Sequence, residues 1–183
     1  MASNTWAEDV LRFWFEETTS EEWFRKNAAF DQRLCQRFGN THATVASLPL
    51  DQCLTDPRTA LAAVIVLDQF PRNMFRSTPR AFATDAAALR LAEAAIAEGF
   101  DAQVPDQARL FFYLPFEHAE DAAHQARCVA LMATLGDPEL SKWAEAHKGI
   151  IDRFGRFPHR NAVLGRTSTA QELAFLDEPG SSF

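Results

Sequence analysis

The sequence predicts an all-α fold in a single domain, an array of antiparallel helices about seven or eight in number. Three observations carry that reading. No stretch shows sustained period-two alternation with β-branched residues, the mark of a half-buried strand. Apolar residues instead recur three and four apart in segment after segment, which lines one face of a helix. Those segments are bracketed by helix start and stop signals, and no low-complexity stretch between them is long enough to separate a second domain from the first.

Taken in order, Thr5 with Glu8 resembles a capping box, opening a helix with Val10, Leu11, Trp14 and Phe15 on one stripe. A second helix begins near Asn27, has Phe30, Leu34 and Phe38 four apart, and is expected to stop at Gly39. Asp56 before Pro57 is a cap with a first-turn proline. It starts "RTALAAVIVLDQF", expected to be buried on most sides and ended by Pro71, which removes a donor and clashes with the preceding turn. Thr84 and Asp85 open a helix carrying Leu89, Ala92 and Ile96, and Gly99 suits its left-handed cap. Pro105 opens a short helix that Pro115 is expected to close. Residues 117–135 then read as one helix ending at Gly136. Residues 138–154 read as another ending at Gly155, with Leu140, Trp143, His147 and Ile151 along one side. A last helix starts in the cluster 167–169, with Glu172 placed to complete a box, and residues 177–183 read as a frayed tail. Helices joined by such short turns pack as antiparallel neighbours, either in a closed bundle or in a curved stack of pairs.

Composition narrows the function. With 183 residues, 47% of them hydrophobic, the chain suits one domain with a substantial core. A formal charge of −7 and no basic run argue against a nucleic-acid partner, because phosphate neutralisation needs clustered Lys and Arg. The start lacks the basic-then-apolar order of a signal peptide, and the longest apolar runs fall far short of the ~20 residues of a membrane span. Cys35, Cys53 and Cys128 are widely spaced and odd in number, which fits a reducing cytoplasm, and Cys35 and Cys128 read as small core hydrophobes. No Gly-rich phosphate loop, GxSxG elbow or HExxH is present. Asp121-x-x-His124 has the spacing of di-iron bundles, but those need a second copy, so no metal and no cofactor are expected. Trp6, Trp14, Trp23 and Trp143 read as core, while His42 and His147 lack polar company and read as structural or exposed.

The most informative feature is a near-repetition. "QFPRN" at residues 69–73 and "RFPHRN" at residues 156–161 each follow an apolar helical stretch bearing an aspartate, Asp68 or Asp152. In each, Phe-Pro is expected to break the helix before Arg72 and Asn73, or before His159, Arg160 and Asn161. A further arginine and two hydroxyls follow: Arg76, Ser77 and Thr78 in one copy, Arg166, Thr167 and Ser168 in the other. One reading is architectural, with Arg-Asn satisfying the orphan carbonyls at a helix C-terminus. The other is functional: the two turns face one cavity and present guanidiniums able to grip a carboxylate or phosphate bidentately. The candidate ligand-binding residues are then Asp68, Arg72, Asn73, Arg76, Arg156, His159, Arg160 and Asn161.

A third polar block, "PFEHAEDAAHQ", supplies the opposite charge. A helix beginning near Pro115 would put Glu117, Asp121 and His124 on one face and His118, Asp121 and Gln125 on the next. A carboxylate beside a histidine is the minimal general-base pair, which makes Glu117, His118, Asp121 and His124 the candidate catalytic residues. A solvated first turn complementing the helix dipole is the plainer alternative. Two functions stay open: a binding protein for a small anionic molecule or a peptide terminus, and a small hydrolase or lyase with a histidine–carboxylate base and arginines that stabilise negative charge. Polar signatures concentrated in three turns favour a compact pocket.

The blocks "VIVLDQFPRNMFRSTPRAFATD", "FFYLPFEHAEDAAHQ" and "IIDRFGRFPHRNAVLGRTST" closely resemble the signature blocks of DUF924, a bacterial family of unknown function. "VLRFWF" and "EEWFRKNAAFDQRLCQRF" fit the family's opening, so the resemblance covers nearly the whole chain, residues 1–183, as one domain. It implies a tetratricopeptide-like array of antiparallel helices and no established activity. One departure stands out: "VASLPLDQCLTD" carries neither the glycine nor the tryptophan that members usually have after the second helix.

Overall fold

The computed structural model of the chain describes residues 5–181. Among the described residues there are ten α-helices and no strand. The chain condenses into two compact units, one of residues up to 76 together with 80–115, the other of residues 77–79 and those from 116 onward.

The first unit is organised around a helix that is buried on every side along most of its length. It contains α1 (Thr5–Arg12), α2 (Ser20–Phe24), α3 (Ala28–Val45), α4 (Leu50–Cys53), α5 (Pro57–Met74), α6 (Asp85–Ala97) and most of α7 (Asp106–Glu117). The run from Thr59 to Pro71 in α5 is buried throughout, as a helix hydrophobic all round must be. It packs against α1, α3, α4 and α6. Asn27 and Asp56 cap α3 and α5 as their positions predict, each accepting two backbone N–H bonds. Gly39 does not end α3, because the buried stripe of Phe30, Leu34 and Phe38 continues through His42 to Val45. Packing of that stripe outweighs the roughly 1 kcal/mol that a mid-helix glycine costs.

Pro71 does not end α5 either: the helix continues to Met74. A proline at this position deprives the Leu67 carbonyl, four residues earlier, of its amide partner. The Thr84 hydroxyl fills the gap, donating to that carbonyl at 2.5 Å. Near the start of the chain a π-helical turn, Phe13–Glu17, follows α1. The carbonyl of Trp14 there accepts both the Thr18 hydroxyl (2.6 Å) and the Trp23 indole N–H (3.0 Å). The buried Trp14 ring lies 5.9 Å from Trp23, 5.5 Å from Phe70 and 5.7 Å from Phe111, which makes it the aromatic centre of this unit.

The second unit holds the end of α7, α8 (Ala122–Ala133), α9 (Pro138–Phe154), a 3-10 turn (Pro158–Arg160) and α10 (Ala170–Leu176). Helix α8 packs on α9, and α10 on the 3-10 turn, around Ile150, Ile151, Phe154, Phe157 and Phe175. Gly155 closes α9 at φ +69°, the left-handed cap its position predicts. Thr169 and Glu172 form the expected capping box of α10. The single helix expected over 117–135 is instead broken. Helix α7 runs through Pro115 to Glu117, and α8 starts only at Ala122. Asp121 causes the break by capping α8, accepting the N–H bonds of Ala123 and His124 at 2.9 Å each. Trp143 is 49% exposed and so is not core. Cys35 is also on the surface. Of the expected tail, the last two residues lie outside the described residues, while Ser181 is buried with its hydroxyl donating to the Leu176 carbonyl at 3.0 Å.

Candidate functional site

The two copies of the repeated motif share an order of residues but not a backbone. In the first copy Phe-Pro lies inside the last turns of α5, whereas in the second it follows Gly155 and opens the 3-10 turn. The expectation that Phe-Pro breaks the helix in both therefore fails for the first. The preceding aspartates differ too: Asp68 is buried, while Asp152 is exposed and pairs with Lys148.

In the first copy the arginines are committed to neighbours. Arg72 donates to the Asp68 carbonyl at 2.6 Å and grips Asp85 bidentately at 2.9 and 3.0 Å. Asn73 donates to the Gln69 carbonyl at 3.1 Å. Both bonds reach carbonyls four residues back inside α5, which continues to Met74, rather than the orphan carbonyls of its last turn. Arg76 makes a second bidentate pair with Asp31, at 2.8 and 2.9 Å, and also donates to Asn73 Oδ1. Asp31 and Asp85 escape sequence reasoning because each stands in the first turn of its own helix, where an acid needs no further explanation.

The second copy is joined to the third polar block within the second unit. Its centre is Glu120, a residue that the unbroken-helix reading leaves out. The Glu120 carboxylate accepts the Phe157 N–H at 2.8 Å and Arg166 bidentately at 2.6 and 2.9 Å. Arg166 also donates to the Phe157 carbonyl and to Asn161 Oδ1. Asn161 in turn donates to the Ser168 hydroxyl at 3.0 Å. Arg156 holds Glu172 at 2.6 and 2.8 Å. The buried Arg160 lies over the Phe157 ring, 4.7 Å from its centroid, and His159 approaches the same ring at 5.6 Å.

The candidate catalytic residues are redistributed by the helix break. Glu117 is buried in the last turn of α7, and its partner is His147, whose Nδ1 is 3.7 Å from Glu117 Oε1 and 2.9 Å from the Trp143 carbonyl. His147 thus has the polar company that its sequence neighbours do not reveal. Asp121 is largely exposed and lies 3.0 Å from Nδ1 of His124. His118 is half-buried, in the electrostatic neighbourhood of His159. Gln125 is fully buried, and its amide donates to the carbonyls of Phe116, Glu117 and Ala119 at 3.3, 2.7 and 2.8 Å, closing the frayed end of α7.

The charges follow from these contacts. Burial pushes the His159 imidazole down to about 4, helped by the nearby Arg160, His118 and Arg166 and opposed by Glu120. Burial raises the Glu120 carboxyl, but the Arg166 hydrogen bonds and the Phe157 N–H outweigh it and leave the group below its ordinary range. Hydrogen bonds from Arg156 first, then the Thr169 N–H, bring Glu172 to about 2. Burial, with Glu117 nearby, pushes the Cys128 thiol up, in keeping with a small core hydrophobe. Among the described residues no group of three or more His, Cys, Asp or Glu is placed to hold a metal ion, and no helix is long and apolar enough to cross a membrane.

The molecule is thus an all-helical protein with a carboxylate–arginine–histidine network in its second unit. The chain belongs to the family described as bacterial protein of unknown function, DUF924, which matches residues 10–180. It is similar to a protein of unknown function from Agrobacterium tumefaciens whose structure is solved. The two share 43% identity over 93% of this chain and 96% of that one, with a TM-score of 0.89. No curated protein matches the chain.

Proposed function

We propose that the protein binds a small carboxylate or phosphate at the second copy of the repeated motif. The observation that carries this reading is the gathering of donors at the 3-10 turn: the buried Arg160 over the Phe157 ring, Arg166 on Glu120, and His118 and His159 within electrostatic reach of one another. Guanidinium and imidazole donors are the groups that hold an oxyanion, and a ligand carboxylate or phosphate would exchange with the Glu120 carboxylate on Arg166. The free carboxylate at a peptide C-terminus offers the same chemistry. A second reading rests on the Asp121–His124 contact, a carboxylate 3.0 Å from the solvent-shielded Nδ1 of a half-buried imidazole, the arrangement of a general base in a hydrolase or lyase.

Thermal unfolding with inorganic phosphate and with citrate tests the binding proposal, because a ligand of the native state raises apparent stability with its concentration. Wild type and a remote control, Arg25→Gln, are expected to be stabilised. His118→Ala and Arg160→Met, the latter keeping an apolar stem over Phe157, are expected to fold and to lose the response. Absence of any anion-dependent shift in the wild type, or an undiminished shift in both variants, overturns the proposal.

A further inference from the structure

A cavity of about 140 Å³ opens in the first unit, lined by no residue of the repeated motif. Its walls are Val45 at the end of α3 with Leu48 beyond it, Leu50 and Cys53 of α4, Leu67 of α5 and Leu91 of α6. One charged side chain joins them: Arg90, exposed on α6. Among the described residues Arg90 makes no ion pair, whereas Arg72 on the neighbouring α5 is committed to Asp85. Burial first and the nearby Asp51 carboxylate second raise the Cys53 thiol.

We propose that this cavity binds a small apolar monocarboxylate, its hydrocarbon body among the leucines and its carboxylate on the Arg90 guanidinium. Size supports that class: the volume is close to the ~150 Å³ that holds benzene when enclosed, and here the exposed Ala46, Leu50 and Arg90 leave the cavity open on one side for a polar head. Charge supports it as well. The lining offers no carboxylate to receive a cation and no cluster of polar side chains to receive a sugar, while a guanidinium matches a carboxylate with two parallel hydrogen bonds.

The test is titration calorimetry of the full chain with benzoate and, as a neutral isostere, benzyl alcohol. Benzoate is expected to bind at least about ten times more tightly than the alcohol, the ordinary scale for one charge-assisted contact. Arg90→Gln, a change on an exposed position, should remove that preference. Ala87→Phe should fill the cavity and abolish binding of both. His118→Ala, which removes the anion site proposed above, should keep the preference for benzoate over the alcohol, and a preference lost with His118 would assign it to that site instead. Equal affinity for acid and alcohol, no binding of either, or a preference that survives Arg90→Gln would each overturn the assignment. If Ala87→Phe does not fold, the Arg90→Gln comparison decides alone.

Discussion

Thr84 shows how much one hydroxyl can carry. Pro71 takes a donor from the Leu67 carbonyl deep in α5, and Thr84 restores it at 2.5 Å. Thr84→Val should therefore strand a carbonyl and cost roughly 1–3 kcal/mol, the usual penalty for one unsatisfied group. In a Pro71→Ala background the backbone amide returns, and the same substitution should cost well under about 1 kcal/mol. Urea unfolding of the four proteins measures this coupling, and equal costs in both backgrounds would refute it. Half of this arrangement is legible in the sequence. Arg72 and Asn73 lie in the last turn of α5, near the end their types suggest, and their side chains bond back to the Asp68 and Gln69 carbonyls. The end itself reads as Pro71 because the compensating donor lies 17 positions after Leu67, where only the tertiary fold delivers it.

At the scale of elements, caps are legible and continuations are not. Asn27, Asp56, Gly155 and the Thr169–Glu172 box act where local chemistry puts them. Gly39, Pro71 and Pro115 are stop signals that packing overrides. The reverse holds for residues 118–121, where a polar run compatible with helix is a break because Asp121 caps α8 instead of continuing α7. The break is what brings Glu120 to Phe157 and Arg166, a placement invisible while the segment reads as helix. Gln125 makes the break tenable by donating to three carbonyls of the α7 end. Gln125→Leu, similar in volume, should leave them unpaired in a buried place and destabilise by about 2 kcal/mol or more in chemical denaturation. A loss under about 0.5 kcal/mol would show that water replaces the amide without penalty.

Across the whole molecule the shifted groups combine into one pH profile. Glu120 and Glu172 are depressed in the fold, so their contribution is full above the unfolded value of 4.5 and fades as pH falls below it. His159, lowered from 6.5 to about 4, acts over the next interval: the unfolded state takes its proton first, and stability drops as pH falls from 6.5 towards 4. Cys53 and Cys128 are raised, so their contribution is full below 9.0 and declines above it as unfolded thiolates form. Urea midpoints are therefore expected to form a plateau between about pH 6.5 and 9, with slopes on both sides. Replacing His159 by glutamine should flatten the 4–6.5 limb, by at most about 1.4 kcal/mol per pH unit for one proton. An unchanged limb would reassign it to other groups, of which the buried His42, also lowered by burial, is first. The tryptophans supply a separate handle on the two units. Trp14 and Trp23 stack within 10° of parallel in the interior of the first, while Trp143 stands half in solvent on the second. Iodide should quench Trp143 and, less strongly, the half-buried Trp6 of the first unit, and leave the stacked pair bright and blue-shifted, so the shielded emission follows melting of the first unit's interior without an added label.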